Sequence, residues 1–349
     1  MKNFDYSKIL DSKFSSSVLS LISEIYEHKG KQNLFLVQKT DSLESLVSIA
    51  KVQSTEASNR IEGIVTTEKR INEIMQEKTM PKTRDEEEIM GYRDVLKTIH
   101  ENYEHIKVSP NFILQLHRDL YQYSTGQWAG KFKNTDNLIQ EEDSLGNKRI
   151  KFAPLEAYLT PDAMEKVCIE YANAKNKLQV EPLILIPIFI LDFLCIHPFN
   201  DGNGRMSRLL TLLLLYQNDF VVGKYISLEK IIATTKEDYY DVLERSSYAW
   251  HENQNDPMHF VEYILKIILN AYKQFEERVI TVESFKLSKA EQIKNVFITK
   301  LGKISKKEIK ALLPHISEAM IEMTLKSLLD EGFIEKIGAG KNTNYIKTN

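Results

Sequence analysis

His197-Pro198-Phe199-Asn200-Asp201-Gly202-Asn203-Gly204-Arg205-Met206-Ser207-Arg208 runs directly into Leu209, Leu210, Leu212, Leu213 and Leu214. The order predicts a loop that passes into a helix at Asn203-Gly204-Arg205, with glycines at the entry and a dense apolar run behind them. Helix N-termini attract anions because unpaired N–H groups and the peptide dipoles converge there. Gly202 and Gly204 let a phosphate approach the backbone, Asn203 adds a polar side chain, and Arg205 and Arg208, one turn apart, can face the same ligand. These are the requirements of a nucleoside triphosphate site. Asp201 offers the hard oxygen that Mg²⁺ prefers, and His197 can accept a proton near neutral pH. Pro198 and Phe199 read as structural, one stiffening the turn and the other anchoring it in the core.

Outward from this loop the signals are helical. Segments near 12–28, 42–58, 67–78, 84–105, 110–123, 161–177 and 182–196 place apolar residues at helical spacing, and further helices are expected near 227–253 and 256–280. The fold class is therefore mainly α, a helical bundle. The exception is 126–160, where Gly126, Gly130 and Gly146 punctuate a polar stretch and Leu145-Gly146-Asn147-Lys148 reads as a hairpin turn. Length, at 349 residues, predicts two or three domains. The most apolar stretch, Leu183 to Ile196, is short for a membrane span and holds Pro187 and Asp192, so a buried helix is expected and no membrane partner. Cys168 and Cys195 lack metal-ligand spacing and read as buried thiols in a reducing compartment. The N-terminus shows no signal-peptide apolar region, which fits a cytoplasmic location. The net charge of −3 decides nothing.

The quoted stretch resembles the signature of the Fic family, His-Pro-Phe-x-Asp/Glu-Gly-Asn-Gly-Arg-x-x-Arg, at all nine specified positions. Fic proteins mostly move AMP from ATP to a protein hydroxyl. The resemblance implies that His197 deprotonates a target Ser, Thr or Tyr, that Asp201 holds Mg²⁺, and that Gly202, Asn203 and Gly204 cradle the α and β phosphates. It further implies that Arg205 helps hold the phosphates and their loop, and that Arg208 holds the γ phosphate. A kinase-like branch carries lysine where this chain has Gly202, so the glycine favours AMP as the group transferred. Tyr239 and Tyr240 are the candidates for packing against the adenine, with helix packing as their alternative.

Two further segments gain meaning from the resemblance. A β-hairpin flap, placed at about 131–154 with Asn137-Leu138-Ile139 and Arg149-Ile150-Lys151-Phe152 as its arms, would hold the target protein's segment by main-chain pairing. Upstream, Ser58-Asn59-Arg60-Ile61-Glu62-Gly63 resembles the family's inhibitory motif, Ser/Thr-x-x-x-Glu-Gly/Asn, at a helix end. Its Glu62 is expected to pair with Arg208 and compete with the γ phosphate, while Ser58 steadies Glu62 or its neighbours. The domain plan is then 1–100 for a helical region carrying the inhibitory helix, 101–283 for the Fic core and 284–349 for a third part. A homodimer is compatible with the resemblance.

From Ser284 onward the chain holds twelve Lys against seven Asp and Glu, and lacks arginine. Helices at 288–300, 305–313 and 317–331 are followed by a hairpin from Phe333-Ile334-Glu335-Lys336 to Asn344-Tyr345-Ile346-Lys347 across Gly338-Ala339-Gly340. The pattern resembles a winged helix-turn-helix. Lys336, Lys341 and Lys347 could touch DNA phosphates, yet Glu318, Glu322 and Asp330 do not make a basic reading helix, so a protein-interaction module is the alternative. Two classes of function remain: a Mg²⁺- and ATP-dependent protein adenylyltransferase with built-in inhibition, or a regulator that uses the Fic core as a nucleotide sensor. Removal of AMP from a modified protein is a third chemistry compatible with the same residues.

Overall fold

The computed structural model describes residues 2–38, 40–124, 126–142, 148–286, 288–299, 302–338 and 343–348. Two compact units are present, Met1–Phe275 and Glu276–Asn349. The first contains helices α1 (Ser16–Gln38), α2 (Thr40–Ile61), α3 (Glu68–Met75), α4 (Arg84–Asn102), α5 (Pro110–Leu120), α6 (Thr160–Asn176), α7 (Pro182–Ile196), α8 (Asn203–Tyr216), α9 (Leu228–Thr234) and α10 (Lys236–Ser247), with the division inside α11 (Met258–Lys286). The protein is mainly helical, as its periodicity predicts.

Helix α7 is the centre of this unit. Leu183, Ile186, Phe189, Ile190, Phe193 and Ile196 are all buried, and a helix apolar on every side belongs inside a bundle. Pro182 at its first turn needs no hydrogen-bond donor there. Helices α6 and α8 pack on it. Helix α2 packs on α4 and α9, so the N-terminal region expected as a separate part shares one body with the residues that follow.

One long helix was expected near 227–253, and the chain instead forms α9 and α10. The break falls at Thr235, at φ −122° and ψ 36°. Thr234 and Thr235 hydroxyls both donate to the Ile231 carbonyl, competing with the helical ladder.

Between α5 and α6 lies a hairpin of β1 (Ile139–Glu142) and β2 (Lys148–Phe152). Its antiparallel register pairs Ile139 with Phe152 and Gln140 with Ile150, leaving Lys151 as the extra residue of a β-bulge. The turn expected at Leu145-Gly146-Asn147-Lys148 falls, for residues 145–147, outside the described residues.

The second unit contains α12 (Lys289–Thr299), β3 (Ile304–Ser305), α13 (Lys306–Leu312), α14 (Glu318–Asp330), β4 (Ile334–Ile337) and β5 (Asn344–Lys347), with an antiparallel sheet in the order β3-β5-β4. Ile293, Phe297, Ile309, Ile321, Leu325 and Leu328 form its core. Ser305 and Glu308 make a reciprocal capping box that starts α13. Ala339, Gly340 and Lys341 of the expected hairpin tip are outside the described residues.

Candidate active site

Helix α7 ends at His197, whose backbone is left-handed at φ 52° and ψ 61°. That conformation is costly for a residue with a side chain, and it turns the imidazole out of the helix. His197 Nδ1 lies 3.3 Å from the Leu194 carbonyl oxygen. A carbonyl only accepts, so Nδ1 carries the proton and Nε2 keeps a free lone pair. Burial pushes the His197 pKa down to about 4, and the nearby Lys133 ammonium adds to the effect against weaker opposition from Leu194, Glu62 and Asp201. The imidazole is therefore a neutral base at pH 7.

The loop behind it is fastened by side chains from several elements. Phe199 stacks on His117, with ring centroids 3.6 Å apart and planes 2° from parallel. His117 Nδ1 accepts from the Gly130 N–H at 3.0 Å, which makes Nε2 the donor to the Asp201 carbonyl at 3.1 Å. Asn203, expected to offer its amide to phosphate, uses it inside the loop: Oδ1 accepts from Phe199 N at 2.9 Å and Nδ2 donates to Phe199 O at 2.7 Å. Gly202 caps α8 at φ 83°, where an added Cβ would stand 2.8 Å from the Tyr121 hydroxyl. The half-exposed Asp201 carboxylate accepts from the Gly202 N–H and lies 3.6 Å from Arg84.

The two arginines part company. Arg205, expected to face the phosphates beside Arg208, is only 1% exposed and points into the core. Its Nη2 lies 2.6 Å from both the Tyr121 hydroxyl and a Glu88 carboxylate oxygen. Three residues along a helix is about 300° of rotation, enough to send two side chains to different surroundings when a buried carboxylate waits for one of them. Arg205 thus ties α8 to α4 and α5 and supports the loop from beneath.

Arg208 instead meets the end of α2. Its Nη2 donates to Glu62 Oε1 at 2.8 Å and to the Ser58 carbonyl at 2.9 Å, and its Nε donates to Ser58 Oγ at 2.8 Å. Ser58, expected to steady Glu62 or its neighbours, holds Arg208 directly. Burial is the largest single influence and opposes the Arg208 charge, but Glu62 together with Tyr239 and Tyr92 outweighs it and the pKa is raised. The Glu62 carboxylate also lies against the first turn of α8, since a Cβ on Gly204 would stand 2.2 Å from Glu62 Oε1. The carboxylate therefore stands at the helix N-terminus where an anion is favoured. Behind Arg208, the buried Glu229 carboxylate accepts from Ser54 Oγ at 2.7 Å and from the Tyr92 hydroxyl at 3.0 Å, joining α2, α4 and α9.

Glu62, His197, Gly204 and Arg208 line one cavity of about 750 Å³, roofed by Leu138, Ile139 and Lys151 of the hairpin region and walled by α10. Tyr239 and Tyr240 also line it. Tyr239 is 3% exposed and Tyr240 38%, their rings meeting edge to face. Tyr240 is the more exposed of the two, while Tyr239 packs among Phe260 and Tyr263. Glu244 of α10 pairs with Arg149 at 3.2 Å and Lys151 at 3.5 Å, tying β2 to the wall.

Residues 107–215 match the model of the Fic/DOC family. That stretch is a Fic domain. A Fido domain-containing protein of Dictyostelium discoideum is 28% identical over 145 residues, covering 40% of this chain and 92% of its own length. The protein adenylyltransferase fic-1 of Caenorhabditis elegans is 23% identical over 188 residues, 52% of this chain and 32% of that enzyme. The matched region therefore spans about a third of the nematode protein. A Fic family protein from Desulfovibrio desulfuricans superimposes with a TM-score of 0.62 at 20% identity, over 97% of this chain and 98% of that one. The Fic fold thus extends beyond the matched segment, and α2 with its Glu62 lies N-terminal to the Fic domain. Tyr121 and Glu88, which hold Arg205, and His117 and Lys133, which hold the loop, carried no signal in the sequence because their partners are remote in the chain.

Proposed function

We propose that this chain is a protein adenylyltransferase of the Fic class, restrained by its own Glu62. The observation that supports it most is the meeting of the neutral imidazole of His197 with Arg208 in one roofed cavity. A hydroxyl of the target, laid along the hairpin, attacks the α phosphorus of ATP. Its proton passes to His197 Nε2, the new bond is between hydroxyl oxygen and phosphorus, and pyrophosphate leaves with the bridging oxygen. Backbone N–H groups at Asn203 and Gly204 and the Arg208 guanidinium meet the phosphate charge, while the Gly202 N–H stays with Asp201.

A Mg²⁺ ion fits this site. Asp201 stands half-exposed at the mouth of α8, a hard carboxylate beside the helix N-terminus where phosphates would lie. Mg²⁺ is bound in this way, through one carboxylate with phosphates and water as the rest. Asp201 would hold it, and when bound the ion supplies charge neutralisation on the pyrophosphate.

Glu62 supports self-restraint because it stands where the γ phosphate and Arg208 would meet. The C-terminal unit is read as a winged helix. Its α14 exposes Glu318 and Glu322, and Glu322 neutralises Lys306, which favours protein contact over DNA. Purified protein with Glu62→Gly, incubated with ATP and Mg²⁺, should acquire or transfer AMP, seen as added mass on itself or on lysate proteins. Absence of any adduct, with ATP bound, would overturn the assignment in favour of a nucleotide sensor.

A further inference from the structure

The segment before the hairpin reaches back to the catalytic loop at several points. Lys133 is 3% exposed. Its Nζ donates to the Ile196 carbonyl at 3.0 Å and to Asn137 Oδ1 at 3.1 Å, while its own backbone N–H donates to the Pro198 carbonyl at 2.8 Å. Asn137 Nδ2 then donates to the Phe199 carbonyl at 3.2 Å. Carbonyls on both sides of His197 are therefore held by one short stretch of chain.

We propose that Lys133 is a positioning residue for His197, clamping the chain before and after the histidine through the Ile196 and Pro198 carbonyls and standing beside the imidazole as a fixed positive charge. The inference rests on His197 being the base of the transfer. A left-handed non-glycine residue persists only where its surroundings hold it, and the backbone of His197 is held from both sides by this lysine. The charge has its own effect. The acceptors of the Lys133 ammonium are a carbonyl and an amide oxygen, not a carboxylate, and a methionine would fill the same space without the desolvation cost. Burial pushes the Lys133 pKa down to about 8, with Asp136 and Glu156 opposing, so the ammonium is still protonated at neutral pH.

The groups facing His197 are Lys133, Glu62 and Asp201. Lys133 disfavours the imidazolium and the two carboxylates favour it. Removing the ammonium therefore raises the proton affinity of His197 and moves the acid limb of the reaction to higher pH. Histidine-labelled protein, with the His197 signal assigned by loss in His197→Gln, reads this by NMR without turnover. In Lys133→Met the His197 midpoint should rise by about one pH unit, and in Lys133→Arg it should stay near the parent value. Equal midpoints in the three proteins overturn the proposal. Should Lys133→Met not fold, the unsubstituted chain still decides: the His197 signal shows a second inflection as Lys133 titrates near pH 8, and a flat signal there refutes the coupling. In the Glu62→Gly background, Lys133→Met should slow transfer most at acid pH with ATP affinity unchanged, whereas a uniform loss at every pH together with lost ATP binding marks a merely structural role. If Glu62→Gly itself never transfers AMP while the His197 midpoint does move with Lys133, the reading of the reaction fails and the positioning of His197 stands.

Discussion

Replacing Glu62 by glycine removes the carboxylate that faces Arg208, and the structure sets the size of the effect. Two unit charges about 4 Å apart attract by roughly 4 kcal/mol at an effective dielectric of about 20. Glu62 is 31% exposed in its side chain and Arg208 only 4%, so solvent screens one partner and not the other. After screening and desolvation, a net of about 1.4 to 2.8 kcal/mol is the reasonable range, equivalent to a ten- to hundredfold change in Kd. That free energy opposes ATP in the parent chain, because the γ phosphate must displace the carboxylate before it reaches Arg208. Titration calorimetry with ATP and Mg²⁺ should therefore show ten- to hundredfold tighter binding in Glu62→Gly. The fold should survive, since Arg208 keeps Ser58 Oγ and the Ser58 carbonyl as acceptors. Equal ATP affinities in the two proteins would falsify the idea that Glu62 excludes the nucleotide.

Other outcomes follow from the same geometry. Gly204→Ala puts a methyl group 2.2 Å from Glu62 Oε1, so the carboxylate must leave its place; mass spectrometry should find basal AMP adducts higher than in the parent chain if the phosphates still fit, and no change in either binding or transfer would contradict the contact. His197→Ala should lose transfer while calorimetry still records ATP binding, and residual transfer at the parental rate would remove His197 from its role. Arg205→Met takes one of two arginines from the buried Glu88 carboxylate, which keeps the exposed Arg84 at 2.9 Å; the cost should stay below that of a buried charge left alone, about 3 to 5 kcal/mol, and the thermal midpoint should fall even though no ligand contact is lost. His100 and His117 are buried, with burial pushing their pKa values down to about 3 and about 4. Their contribution is complete above the unfolded value of about 6.5 and is lost as pH falls toward the folded values, so denaturant midpoints should drop through that window by up to about 1.4 kcal/mol per pH unit for each. A flat profile between the two limits would show that these rings are protonated in the fold.

What could be read in advance was local. The turn into α8 with glycines at its entry, the histidine and the carboxylate all lie within twelve consecutive residues, and residue type alone constrains what such a loop can do. The approach of Glu62 to Arg208 came from a motif at a helix end and not from periodicity. What could not be read were the choices made by distant partners. Nothing near Arg205 says that Glu88 and Tyr121 will claim it, and nothing near Asn203 says that the Phe199 peptide will use its amide. Ser58 had the same ambiguity, since a hydroxyl one turn before a glutamate can serve either the acid or its cation. The break at Thr235 was likewise hidden, because threonine tolerates a helix until its hydroxyl finds a carbonyl to bond.

With the carboxylate of Glu62 against the first turn of α8, nucleotide binding as proposed would be an exchange of one anion for another. The cradle holds a negative group before ATP arrives, so the change in charge at the site is smaller than the charge of the incoming triphosphate. Dissolved salt should consequently weaken ATP binding less steeply in the parent chain than in one without the carboxylate. Under the proposed function, such a protein would respond to whatever moves a helix end by a few ångströms, and its sensitivity to nucleotide would be set by the position of α2 as much as by the concentration of ATP.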